Sequence, residues 1–196
     1  MRNKRQPKRL IMGIDINLHG LGVGLYGRGI CEAHYVPGDP SKGGRISPAY
    51  QAHLAGQLKR FKSYKIWGAV IETMQVDNRT HGQAGAADLL EVAFLGGEVA
   101  AVARKIISKP KRLIKAPAGL HTQGVPKRVR IVRAVSRSGV SVAELLHMPP
   151  NYSSTRIVGK AVDAVDAFAL AMWGSDTLTG AAPTRTVEPK LYGSLK

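Results

Sequence analysis

The sequence predicts an α/β domain: a mixed sheet with helices on both faces. Three observations carry this expectation. Three short apolar segments follow one another near the N-terminus, with breaks only long enough for hairpins. Helical and extended stretches alternate after them. Finally, 44% of the 196 residues are hydrophobic, and a chain of this size buries roughly 70% of its unfolded surface, enough for a core without staples.

LIMGIDIN (10–17), LGVGLYG (21–27) and ICEAHYV (30–36) read as three antiparallel strands in meander order. A Gly- and Pro-rich loop, PGDPSKGGRISP, leads to a helix from Pro48 to Ser63, in which Leu54, Leu58 and Phe61 repeat at helical spacing. KIWGAVIE (65–72) is a buried strand. After the polar segment TMQVDNRTHGQ, the Ala-, Leu- and Val-rich run from Ala84 to Ile107 predicts a long helix. Gly96 and Gly97 in its middle would each cost an isolated helix roughly 1 kcal/mol, which implies close packing or a bend. KRLIKA (111–116) is a fifth strand, and a loop with Gly119 and Gly124 precedes a basic helix from Val125 to Ser138. VAELLHM (142–148) is a short helix stopped by Pro149 and Pro150. The last helix spans Lys160 to Trp173, and a Gly-, Thr- and Pro-rich tail (174–196) is expected to be loosely ordered. Residues 1–9, MRNKRQPKR, form a basic arm, too poorly followed by apolar residues for a signal peptide. The domain proper is therefore 10–173.

Charge narrows the function classes. Lys and Arg number 29 against 13 Asp and Glu, a net +16. Between Glu98 and Glu144 no acidic residue occurs, while Arg104, Lys105, Lys109, Lys111, Arg112, Lys115, Lys127, Arg128, Arg130, Arg133 and Arg137 all fall there. A solvated helix face normally mixes signs, since each i,i+4 pair contributes about 0.2 to 0.5 kcal/mol; a one-sided block repels itself and points to phosphate neutralisation. A membrane-surface helix would need large apolar side chains opposite the charges, and VPKRVRIVRAV supplies only Val, Ile and Ala. No apolar run approaches the roughly 18 residues of a membrane span. The single cysteine, Cys31, excludes an internal disulfide and a Cys-based zinc cluster, and fits a reducing, cytoplasmic location.

With so few acids, their placement is informative. Asp15 interrupts an apolar strand, where an ionised carboxylate costs several kcal/mol unless paired or metal-bound. Glu72 closes GAVIE at a strand's carboxyl end, where open α/β sheets place their sites. Asp163 and Asp166 lie three apart in GKAVDAVDAFALAMW. On a wheel of about 100° per residue, Val162, Val165, Ala169 and Met172 form the apolar stripe; Asp166 lies about 40° from Val162 and Asp163 about 60° further round. Singly, each acid has a plain explanation as a turn, cap or macrodipole residue. Together they form a set of hard oxygen ligands suited to Mg²⁺, with Mn²⁺ as the substitute, and two such ions about 3.5 to 4 Å apart would activate water against a phosphodiester. The residues thus point to a metal-dependent nuclease.

Gly13-Ile14-Asp15 with Gly22 seven residues on, Val70-Ile71-Glu72, and DAVDAFALA from Asp163 resemble, in order and spacing over residues 10–173, the RuvC family of Holliday junction resolvases in the RNase H-like superfamily. The resemblance implies an RNase H-like fold, a five-stranded mixed sheet in order 3-2-1-4-5, that brings Asp15 beside Glu72 with the last helix over both. It implies catalytic and metal-holding roles for Asp15, Glu72, Asp163 and Asp166, and a homodimer making two symmetric nicks in branched DNA. Lys115 and Lys127 resemble the family's lysines after the fifth strand and at the next helix. With Arg128, Arg130 and Arg133 they are the expected DNA contacts. Two departures stand out. The Pro and Gly that follow the family's first Asp are Ile16 and Asn17 here. Where many members carry an aromatic wedge, this chain has Thr73, Met74, Gln75 and Val76, so Met74 and Gln75 are the expected contacts to an opened junction, Met74 as an apolar wedge.

The leading expectation is a Mg²⁺-dependent endodeoxyribonuclease resolving Holliday junctions and other branched DNA. The alternatives are an RNase H-like or rRNA-processing nuclease of the same fold, and a non-catalytic nucleic-acid-binding module. An actin-like ATPase, which also opens with a GID-type strand, needs two domains and does not fit the length.

Overall fold

In a computed structural model, the protein is described over residues 7–43, 47–73, 86–117, 127–147 and 159–180. Five strands form one sheet: β1 (Ile11–Asn17), β2 (Gly20–Gly27), β3 (Ile30–Pro37), β4 (Gly68–Thr73) and β5 (Leu113–Pro117). Their order is β3-β2-β1-β4-β5. The meander β1-β2-β3 is antiparallel, and β4 and β5 add in parallel on the other side of β1. The β2–β3 loop is two residues, Arg28 and Gly29, both at positive φ (55° and 81°), the geometry whose twist suits a two-residue hairpin. Pro7, inside the predicted basic arm, accepts a 2.7 Å hydrogen bond from the Arg28 N–H, so the end of the arm rests on this hairpin.

One face is covered by α1 (Pro48–Gly56), a 3₁₀ segment (Gln57–Tyr64) and α2 (Ala86–Ile106). Met12, Ile14, Leu21, Val23 and Ile71 of the sheet bury against Leu54, Leu58, Leu95 and Val99 there. Ser47 caps α1 by accepting from the Tyr50 N–H, with Pro48 in the first turn. The single helix predicted from Pro48 to Ser63 is therefore two pieces: after Gly56 the chain tightens to 3₁₀ and ends at left-handed Lys65. Among the described residues nothing packs closely on the glycines of α2: a Cβ on Gly96 would lie 3.7 Å from Ile16, and one on Gly97 would meet none of them within 4 Å.

The other face carries α3 (Lys127–Ser138), the short α4 (Val142–Leu145) and α5 (Lys160–Thr179). Ser141 and Glu144 form a reciprocal capping box at the start of α4. Helix α5 corrects the sequence reading twice. It runs on to Thr179 and ends at left-handed Gly180, so residues 174–179 belong to the helix and not to a loose tail. It is also buried on most sides, whereas a single stripe was expected: Val165, Phe168 and Met172 pack with Tyr26, Ile131 and Ala134, while Leu170 packs with Ile11, Val70 and Ala116. Val162 and Ala169 of the predicted stripe are only half-buried. Alanines at 161, 164, 167, 169 and 171 make the helix thin enough to lie between sheet and α3. No helix among the described residues is long and apolar enough to cross a membrane.

Candidate active site

Strands β1 and β4 run in parallel with Ile14 level with Ile71. Asp15 and Glu72 are the next residue on each strand, about 5 Å apart at the backbone by the spacing of neighbouring strands. Side chains alternate across a sheet. Because Ile14 and Ile71 point into the core under α1 and α2, Asp15 and Glu72 stand on the opposite face, the one covered by α5. Both are half-buried.

Small residues let α5 come down onto that face. A Cβ on Gly13 would overlap the Ala167 carbonyl, and one on Gly22 the Asp163 carbonyl. Gly22 is also the residue paired with Asp15 across β1–β2. The absence of side chains at 13 and 22 thus lowers the first turns of α5 directly beside Asp15. Asp163, in the first turn, is half-buried and accepts a 3.0 Å hydrogen bond from Asn17 Nδ2. The other side-chain atom of Asn17, Oδ1, accepts from the His19 N–H at 2.7 Å, which holds the amide in place. Asp166, one turn on, is 4% exposed and sits against the guanidinium of Arg130 on α3, at 3.3 and 3.4 Å. Tyr35 lies across from Gly22 on β3; burial, and after it the charge of Asp163, pushes its phenol up.

The backbone therefore sets Asp15 beside Glu72 on the face covered by α5 and seats the first turn of α5, with Asp163, over Gly22, the partner of Asp15, while Asp166 pairs with Arg130 on α3. Asn17 and Tyr35 are additions that sequence reading missed. Asn17 had a signal, since it lies two residues beyond Asp15 and so on the same face.

The basic residues divide. Lys8, Arg9, Arg104, Lys105, Lys109, Lys111 and Lys115 are exposed. Arg130 and Arg137 instead turn inward, Arg137 forming a bidentate pair with Asp176 of α5 at 2.5 and 2.6 Å. That pairing holds the Arg137 guanidinium all the more firmly protonated. Arg133 is half-buried. Lys115 is level with Ile71 on β5, hence on the α1/α2 face, and the sheet does not bring it to the carboxylates. Lys127 and Arg128 open α3. Met74 and Gln75 lie outside the described residues.

No protein-family model and no curated protein matches the chain. Among solved structures, it is similar to T. thermophilus RuvC in complex with a Holliday junction substrate, with a TM-score of 0.53 and 15% identity over 89% of this chain and 98% of that one. It is also similar to the yeast mitochondrial Holliday junction resolvase Ydc2, with a TM-score of 0.51 and 15% identity over 91% and 84% of the two chains. At this identity the likeness speaks for architecture, and with the strand order and the helix packed over β1 and β4 it establishes that the chain has the RuvC-like form of the RNase H fold.

Proposed function

We propose that the protein is a Mg²⁺-dependent endonuclease that cleaves branched DNA, with the Holliday junction as its main substrate. The observation carrying this reading is the seating of α5: Asp163 is set directly over Gly22, the partner of Asp15, and Asp15 is level with Glu72 at the ends of parallel strands. The donors are carboxylate oxygens, which suit Mg²⁺ or Mn²⁺ better than softer ions. Asp15, Glu72, Asp163 and Asp166 would hold a pair of such ions, which supply Lewis acidity and a water of lowered pKa.

The remaining tasks fall to other side chains. Asn17 orients Asp163 through its amide, itself fixed by His19. Arg130 balances the buried charge of Asp166. The exposed Lys8, Arg9, Arg104, Lys105, Lys109 and Lys111 are suited to backbone phosphates. The junction as substrate is favoured by the complex in which the T. thermophilus neighbour is found. A homodimer is favoured by α2, where Leu90, Ala93, Phe94, Gly97 and Ala101 are exposed along one side, Leu90 and Phe94 by 59% and 67%.

The test is Asp15→Asn, assayed with Mg²⁺ on a four-way junction, a fork, linear duplex and an RNA–DNA hybrid. The substitution keeps size and removes charge. Expected are junction cleavage by the parent, a fall of about a thousandfold or more in the variant, and unchanged junction binding. Persistent nicking by the variant refutes the metal site, and preference for the hybrid refutes the substrate.

A further inference from the structure

A second group of ligand-type side chains lies two strands away from Asp15 and on the other face of the sheet. Glu32 and His34, two residues apart, share one face of β3, and His147 follows α4. The Nε2 of His34 donates to Glu32 Oε2 at 2.9 Å, and His147 Nε2 lies 3.9 Å from the same oxygen. Tyr64, at the end of the 3₁₀ segment, donates to it as well, at 3.0 Å. The ligand atoms of Glu32, His34 and His147 all fall within 4.8 Å of one another.

We propose that Glu32, His34 and His147 form a binding site for a borderline divalent transition-metal ion, Zn²⁺ foremost, separate from the Mg²⁺-type carboxylates. Four groups around a tetrahedral Zn²⁺ with bonds of about 2.0 to 2.1 Å lie roughly 3.3 Å apart. The observed 2.9 and 3.9 Å bracket that figure, so small side-chain rotations close the site. Two imidazoles and one carboxylate are a donor set for zinc, whereas Mg²⁺ takes oxygens and keeps its water. Both histidines offer the same nitrogen, and the phenol of Tyr64 fixes the carboxylate in the way that outer hydrogen bonds orient metal ligands.

The surroundings agree. His147 has φ 51°, a left-handed backbone that non-glycine residues seldom adopt; its ring stands 5.5 Å from that of His34, inclined by 32°. His34 and His147 are among the residues that line an open cleft of about 320 Å³, with Ala33, Tyr35, Leu146, Ala161 and Ala164. Three protein ligands leave a fourth position for water or an exchangeable ligand from that cleft. An ion there would clamp the end of α4 to the edge strand β3, beside the first turns of α5.

Untagged protein is titrated with Zn²⁺, and separately with Co²⁺, in a large excess of Mg²⁺ that keeps the carboxylates occupied. Expected are one Zn²⁺ per chain, visible d–d bands of tetrahedral Co²⁺, and a rise in Tm of roughly 5 °C once free zinc far exceeds Kd. His147→Ala, at a side chain 58% exposed, should fold normally and lose affinity at least about tenfold, as should Glu32→Gln, while Asp15→Asn should leave binding unchanged. No binding, or binding that survives His147→Ala, overturns the site. Loss of zinc in Asp15→Asn alone would place the ion at the carboxylates and equally overturn it. Nuclease activity does not enter any of these readouts.

Discussion

Gly22 connects two functions in one position. Its backbone pairs with Asp15, and its missing side chain admits the Asp163 carbonyl. Gly22→Val suits the strand by propensity but drives two methyl groups into helix backbone, which has no rotamer to escape through. Overpacking of this kind costs about 1 to 3 kcal/mol, and here it also lifts Asp163 away from Asp15. Chemical denaturation should show the loss of stability, and junction cleavage should fall far more than that loss explains. A variant that destabilises yet cleaves at the parental rate would show that α5 need not touch the sheet. At this scale the sequence was informative about charge: Asp15 and Glu72 announced themselves by being acidic in apolar strands. Asn17 and Tyr35 did not, because a neutral polar residue in a strand has many uses and only its distant partner, Asp163, reveals this one.

At the scale of elements, α3 is the instructive case. Its arginines look like a phosphate-binding face in the sequence, yet Arg130 and Arg137 pair with Asp166 and Asp176 on α5. These residues are 36 and 39 positions apart, so no helical spacing rule links them. The helix serves as a brace that holds α5 against the sheet. Arg137→Ala leaves Asp176 partly buried without its bidentate partner, and we expect a loss of about 2 kcal/mol, read by urea unfolding. In a double-mutant cycle with Asp176→Asn the second substitution should then cost little. Additive losses would mean that the two residues do not interact. The long helix α2 shows a second limit of pattern reading. Its glycines suggested close packing or a bend, and among the described residues none comes within 4 Å of a Cβ placed on Gly97.

For the whole molecule, the exposed side of α2 bears on assembly. Leu90 and Phe94, one turn apart and more than half exposed, with Ala93, Gly97 and Ala101 alongside, form an apolar strip that a second copy would cover. Phe94→Glu should convert a dimer to a monomer in light scattering and leave junction cuts unpaired, with single nicks accumulating. A parent that is monomeric at all concentrations would refute this.

Fold class and, through the family resemblance, strand order were legible from the chain, and so were the four acidic residues in costly places that the proposed site rests on. Strands and helices declare themselves through local periodicity, and an acidic residue amid apolar ones is costly enough to be conspicuous. Tertiary structure alone decided which basic residues face solvent, how far α5 extends, that Lys115 lies on the far face from Glu72, and that Glu32, His34 and His147 meet. These depend on contacts between residues distant in sequence, and +16 or a lone histidine looks the same along the chain whether its side chain meets water or a carboxylate folded back from another element.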